Sequence, residues 1–274
     1  MNTSQALSVT AVPFGDSAVM LSTPGGSARA DIIELRGRLL ARRLPGVVDV
    51  VSGLESLLIE FDPLESSAEQ VELAARLLAE VPADAGRGGD ADASSPVRAP
   101  HRFDVPVVFD EETGPDLAAV AVEVGLEAAE VVRRIAGSTF TIALLGAAMA
   151  PMMDGLDLPR PVRRSTTPRT DVVPGSVMIA GSNAIIQPFP GPSGWRVVGR
   201  TPKRIVDIER DEPVSFAPGD TVRFVPVPRG EAEGDAHGGF LLPSGDGPGA
   251  TGPDDAGPAA DSRAAASTET EARA

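Results

Sequence analysis

The sequence predicts an α+β protein, and three observations carry that prediction. Residues 8–81 alternate branched apolar runs with two helical patterns, in the order strand, strand, helix, strand, strand, helix. Residues 82–100 contain Val97 as their one sizeable apolar side chain, so they read as a flexible linker. From residue 139 onward, short apolar runs alternate with Gly and Pro turns, the spacing of a β-barrel or a compact double sheet.

In the first unit, runs 8–12 and 18–21 flank Phe14-Gly15-Asp16, whose Gly and Asp suit a turn. Residues 28–43 place Ile32, Leu35 and Leu39 at helical spacing, entered through Gly25-Gly26-Ser27 and ended by Pro45-Gly46. Runs 47–51 and 57–61 read as neighbouring strands. Ser66 and Glu69 form a capping box for a helix that buries Val71, Ala74 and Leu78. Two helices on one face of a small antiparallel sheet make a sandwich of the ferredoxin-like kind, expected over residues 1–81. Nothing in this unit is placed to do chemistry.

Beyond the linker, residues 103–109 read as a strand. Asp116 is placed to cap a helix carrying Leu117, Val120, Ala121 and Val124, and a short second helix covers 127–135. Runs 139–145, 176–179, 184–187, 195–198, 204–208 and 221–227 supply the strands of the second domain, expected over 101–228. From residue 229 to 274 the composition turns to Gly, Ala, Pro and acidic residues, with nine Asp+Glu against three Arg. Phe240-Leu241-Leu242 is the one apolar cluster there, and an undocked, disordered tail is expected.

Composition excludes much chemistry. Aromatic residues are 4% of the chain, with no Tyr and one Trp, so aliphatic side chains must fill the core. A formal charge of −15 argues against nucleic acid and anionic membranes as partners. Without cysteine there is no disulfide, thiolate nucleophile, Cys-ligated zinc or iron–sulfur cluster. Two histidines, His101 and His237, leave little from which to build a metal site or a triad. The apolar stretch 142–153 is too short to span a bilayer and is broken by Pro151. The first residues lack a targeting pattern, so a soluble cytoplasmic protein without a metal site is expected.

No Walker A sequence is present, since the single lysine, Lys203, follows Pro202; G-x-S-x-G and H-E-x-x-H are also absent. Asp110-Glu111-Glu112 and the pair Asp154/Asp157 read as solvated turns. The densest signal lies between Pro168 and Pro202, where Arg169, Arg196 and Arg200 sit among glycine turns. One reading makes the glycines hairpin turns, Trp195 the core aromatic of a barrel and the arginines solvated. The other lets the guanidinium groups and free backbone N–H groups hold a carboxylate or phosphate. The pattern alone favours the first.

The ordered series of motifs resembles the B subunit of the bacterial 5-oxoprolinase complex, a family also described as allophanate hydrolase subunit 1 and KipI-like, with a carboxyltransferase domain. The resemblance runs from Phe14-Gly15-Asp16-Ser17-Ala18 through Phe61-Asp62-Pro63, Gly114-Pro115-Asp116-Leu117 and Gly155-Leu156-Asp157. It is densest at Pro174-Gly175-Ser176-Val177, Ile179-Ala180-Gly181, Gly194-Trp195 and Gly199-Arg200-Thr201-Pro202, and closes at Pro218-Gly219-Asp220 and Val222-Arg223-Phe224-Val225-Pro226. It implies a ferredoxin-like domain followed by a cyclophilin-like barrel. It also implies a non-autonomous subunit that pairs with a second cyclophilin-like subunit, of the 5-oxoprolinase C type or the allophanate hydrolase subunit 2 type. A third protein, the A component of 5-oxoprolinase, completes the set. Such a set opens 5-oxoproline to glutamate at the expense of ATP. Related members are inhibitors of a sporulation kinase, so a binding or regulatory protein is the alternative.

Under the enzyme reading, Arg169 and Arg200 would hold anionic groups of a small amide substrate, Asn183 would hydrogen-bond an amide and Trp195 would form an apolar wall. Gly181, Arg196 and Thr201 complete the expected substrate-binding set, and no catalytic residue is assigned. The sequence also departs from the family pattern. Ile135 stands where the family carries a His, Phe140 where it carries a Tyr, and Ala147-Ala148-Met149-Ala150-Pro151 follows Gly146 in place of a Gly-Phe-x-Pro-Gly-Phe segment. The family's Gly-Gly-Gln-Thr run becomes Gly181-Ser182-Asn183-Ala184. An isoleucine has no titratable group to take over proton transfer from an imidazole.

Overall fold

Period-2 alternation in the first eighty residues builds a four-stranded antiparallel sheet from β1 (Thr10–Pro13), β2 (Ala18–Ser22), β3 (Val47–Ser52) and β4 (Ser56–Phe61), ordered β1-β2-β4-β3. In this computed structural model, residues 7–23, 29–80, 99–234 and 239–244 are described; most of the expected linker, the Gly25-Gly26-Ser27 turn, His237 and residues 245–274 lie outside them. Helices α1 (Arg29–Arg42) and α2 (Ala68–Glu80) bury Ile32, Leu35, Leu39, Val71, Ala75 and Ala79 against the inward residues of the sheet. Strand β4 lies between β2 and β3, so β2-α1-β3 is a split β-α-β unit.

The helical reading of α2 holds, with two shifts in detail. The full burial falls on Val71, Ala75 and Ala79, while Ala74 and Leu78 are only half-buried. The capping box lies one residue later than Ser66/Glu69: Ser67 N donates to Gln70 Oε1 (2.9 Å), and Gln70 N donates to Ser67 Oγ (3.4 Å). Ser66 is unavailable as a cap because its hydroxyl donates to Pro45 O at 2.6 Å.

The second half contains β5 (Arg102–Val107), α3 (Leu117–Val124), α4 (Ala128–Gly137), β6 (Phe140–Leu145), β7 (Pro151–Asp154), β8 (Arg169–Val172), β9 (Ser176–Ala180), β10 (Asn183–Ile186), β11 (Gly191–Ser193), β12 (Arg196–Arg200), β13 (Thr221–Pro226) and α5 (Arg229–Gly234). Seven strands form a mixed sheet ordered β12-β9-β10-β7-β6-β13-β5, antiparallel except where β13 runs parallel to β5. A bridge between Val108 and Arg200, with N–H donors at 2.9 and 3.0 Å from the opposite carbonyls, joins the last strand towards the first and nearly closes a barrel. A Cβ on Gly199 would lie 2.9 Å from Val108 O, so glycine permits this approach. Strands β8 and β11 form a separate two-stranded ribbon.

The barrel interior is filled by Phe103, Phe140 and Phe224 with aliphatic residues from the strands, closed by Leu117, Val120, Val131 and Ile135 of the two helices. Phe140 and Phe224 pack at 5.1 Å between ring centroids. Trp195 is not among these core residues. Along β9 and β10, Val177, Ile179, Ala184 and Ile186 face the interior, whereas Met178 and Ile185 face out. Trp195 immediately precedes β12 and packs with Val172, Met178 and Val197 in that small outer cluster, on the side of the outward-facing Val197 and not of Val198, which faces the interior.

Two further expectations are corrected. Residues 204–208 are not a strand of the barrel; Arg204 makes a lone bridge to Phe240, although Ile205 and Val206 are buried. The described part of the tail is docked. Leu241 is 4% exposed in the main core, its N–H donates to Arg204 O at 2.9 Å, and Ser215 Oγ donates to its carbonyl. Arg210 lies 4.5 Å over the Phe240 ring. An apolar pair is enough to hold a short segment when the host surface offers both a socket and unpaired backbone groups. The two halves touch where Ser52 Oγ donates to Ala143 O at 3.1 Å. Among the described residues, no helix is long and apolar enough to cross a membrane.

Candidate functional site

Arg169 and Arg200 line one cleft of about 160 Å³, together with Glu112, Thr113, Asp171 and Ser176. A smaller lobe of about 70 Å³ shares Thr113 and Arg200 and is walled by Pro202 and Arg229. Strand order explains the meeting: Arg200 ends β12 opposite Ser176 at the start of β9, and the Val108 bridge brings the 108–113 turn beside it. Of the seven residues expected to bind substrate, these two arginines are the pair the fold brings to one cleft.

The two are not equivalent. Arg169 Nη2 donates to Asp116 Oδ1 at 2.7 Å and Nε to Asp116 Oδ2 at 3.3 Å, and that carboxylate also accepts Val197 N at 2.9 Å. Burial by itself would raise the Asp116 pKa; the hydrogen bonds from Arg169 and Val197 outweigh it and leave the carboxyl below its ordinary value. The same contact raises the Arg169 pKa. Asp116 stands at the N-cap position of α3 but makes no side-chain cap, because its carboxylate is turned to Arg169 and Val197. Arg200 is exposed, and its side chain makes no hydrogen bond or ion pair among the described residues.

The other expected residues stand elsewhere. Arg196 Nε donates to Arg163 O at 3.2 Å, and its Nη2 lies 3.7 Å from Glu123 Oε2. Thr201 is buried, and its Oγ1 accepts Lys203 N at 3.2 Å. Gly181, at φ +62°, opens the two-residue turn of the β9–β10 hairpin. Asn183 pairs with Ala180, at the opposite end of β9 from Ser176, about 13 Å along the strand from the arginine cleft. Trp195 is in the outer cluster described above.

The acidic run Asp110-Glu111-Glu112 is more than a solvated turn. Asp110 Oδ1 accepts Thr113 N at 2.8 Å, while Arg229 donates to Asp110 Oδ2 at 2.7 and 3.0 Å and to Glu112 Oε2 at 2.6 Å. The Thr113 N–H, with help from Arg229, lowers the Asp110 pKa to about 2. Neither Arg229 nor Thr113 was legible as a site residue. More than a hundred positions separate Arg229 from its two carboxylates, and no local pattern marks such a pairing.

Ile135 and Phe140, which stand where the resemblance puts a His and a Tyr, are both fully buried in the barrel core. The 146–151 loop contains Ala148 and Met149 at φ 55° and 62°, consecutive left-handed residues. Among the described residues no group of three His, Cys, Asp or Glu side chains could hold a metal ion.

The carboxyltransferase domain family, subdomains C and D, matches residues 9–216. The chain belongs to that family. This carboxyltransferase-domain chain is 32% identical over 197 residues to the 5-oxoprolinase B subunit of Escherichia coli O157:H7, covering 70% of this chain and 84% of that protein. It is 29% identical over 224 residues to the 5-oxoprolinase B subunit of Haemophilus influenzae, covering 78% and 96%. Among solved structures, that of TTHA0988 aligns with a TM-score of 0.62 and 26% identity over 78% of this chain, which spans 40% of that longer one. The carboxyltransferase-domain chain is thus a diverged member of the family of 5-oxoprolinase B subunits and KipI-like proteins. Its site geometry differs from the expectation in that the arginines, and not the Asn183 hairpin, share a cleft.

Proposed function

We propose that this chain is a non-autonomous subunit of a heteromeric, ATP-dependent hydrolase of the 5-oxoprolinase type, and that its arginine cleft holds the carboxylate of a small cyclic amide. The observation that supports this reading is Arg200, a guanidinium without a protein partner among the described residues, in a cleft where Arg169 and Glu112 are already paired. A guanidinium fork pairs with a carboxylate through two parallel N–H bonds. One unpaired cation suits a monoanion. A cleft of about 160 Å³ is smaller than the roughly 300–1,000 Å³ of sites for drug-sized ligands. That size suits 5-oxoproline, with one carboxylate and one lactam, and leaves ATP to be bound by other parts of the assembly.

The residues around the cleft include no His, Lys, Cys or Tyr; of its two carboxylates, Glu112 is paired with Arg229 and Asp171 lies in the field of Arg169. The chain's own part is therefore to bind and orient the amide while ATP and water convert it to glutamate, ADP and phosphate. Proton transfer falls to the other members of the assembly. These are a second cyclophilin-like subunit, of the 5-oxoprolinase C type or the allophanate hydrolase subunit 2 type, and a third protein, the A component. The relatives are named as B subunits, which agrees with assembly. In fold terms we read the β1–α2 unit, with its split β-α-β, as ferredoxin-like and the barrel as cyclophilin-like, in a cytoplasmic protein.

The second reading, a regulatory protein that keeps the fold without the chemistry, draws on Ile135 and Phe140. Both positions are filled by core side chains with no proton to exchange. The test is 5-oxoproline-dependent ATP hydrolysis by the co-purified subunits, with a reaction lacking this chain as control. The enzyme reading expects turnover that requires this chain and falls at least tenfold in Arg200→Ala with assembly intact. A stable complex without turnover would overturn it in favour of regulation.

A further inference from the structure

Arg200 is the end residue of β12, and its backbone pairs with Val108, two residues before Asp110. Glu112 lines the same cleft as Arg200. Asp171 lines that cleft too, and its charge acts on Arg169. A guanidinium near such carboxylates would be expected to pair with one of them, yet Arg200 makes no ion pair among the described residues. For Asp110 and Glu112 the reason is visible in α5. Arg229 takes Asp110 with Nε and Nη2 and Glu112 with Nη1, and it walls the smaller lobe beside Arg200. It comes from chain beyond residue 216, where the family match ends.

We infer that Arg229 is a positioning residue of the arginine cleft: it holds Asp110 and Glu112 to itself and so keeps the Arg200 guanidinium free for an anionic ligand. The inference deepens the carboxylate-binding reading and rests on Arg200 as its anchor. Arg229 needs no contact with the ligand. Arg229 commits three of its five N–H bonds to Asp110 and Glu112. Asp116 is already bound by Arg169, and Asp171, the other carboxylate of the cleft, lies in the field of the same arginine.

The experiment measures the rate at which phenylglyoxal modifies Arg200 in the full chain, read by peptide mass spectrometry, with circular dichroism as the fold control. Arg229→Ala should slow modification of Arg200 by roughly two- to fivefold, the worth of an exposed ion pair, as the released carboxylates turn to it. Adding Asp110→Asn and Glu112→Gln to that variant should restore the wild-type rate. A purely structural α5 predicts the opposite: its loosening leaves Arg200 as reactive or more so, and neutralising the carboxylates restores nothing. Either of those results overturns the inference. Binding of 5-oxoproline is measured in parallel by calorimetry on the co-purified assembly containing the same proteins. If the modification pattern holds and the wild-type assembly binds no 5-oxoproline, the amide reading fails and the role of Arg229 stands.

Discussion

Contacts from two strands converge on Asp116. Its carboxylate accepts two hydrogen bonds from Arg169 and one from Val197 N, and so ties α3 to both β8 and β12. Asp116→Ala leaves the buried Val197 N–H without its acceptor and should cost about 1–3 kcal/mol in a urea unfolding titration; a change below 0.5 kcal/mol, roughly the surface norm, would refute the role. Asp110 gives a pH signature. Its folded pKa is about 2, below the ordinary carboxylate value, so its contribution is complete above the unfolded pKa near 3.8 and is lost as pH falls through the folded value. Stability should therefore decline between about pH 5 and pH 2, and Asp110→Asn should flatten that part of the curve. An unchanged slope would mean that Thr113 and Arg229 do not hold the carboxylate ionised.

At the scale of the element, the β6–β7 connection stands out. Gly146 N donates to Ala150 O at 2.8 Å, closing a turn that places Ala148 and Met149 at positive φ. Left-handed backbone costs an L-residue roughly 1–2 kcal/mol. Ala148→Gly should therefore stabilise the protein by about 0.5–1 kcal/mol, after allowing for the larger entropy of glycine in the unfolded chain, as measured by thermal melting. A lower melting temperature would show that the turn relaxes in solution. The same scale explains why the helices were legible and their ends were not. The spacing of Ile32, Leu35 and Leu39 marks α1, whereas the choice between Ser66 and Ser67 as cap depends on Pro45 O, twenty-one positions away in sequence from Ser66.

Across the whole molecule, the barrel is closed by pieces remote in the chain. Leu241 fills a core shared with Phe103, Phe216 and Val206, and Ser244 N donates to Arg102 O at 2.7 Å. Leu241→Ala should cost about 2–5 kcal/mol in chemical denaturation, the range for a buried leucine. A loss within roughly 0.5 kcal/mol, the scale of an ordinary surface change, would show that the segment is undocked in solution. By itself the sequence determined the α+β class, the family and most strands, because periodicity and turn residues act over a few positions and record local geometry. Tertiary structure alone decided which side of the sheet Trp195 occupies, which arginine is paired and which is free, and where residues 239–244 lie. Those outcomes depend on strand order, on the Val108–Arg200 closure and on carboxylates more than a hundred residues from their partners. Coulombic and packing partners are chosen by distance in space, and no local pattern encodes that distance.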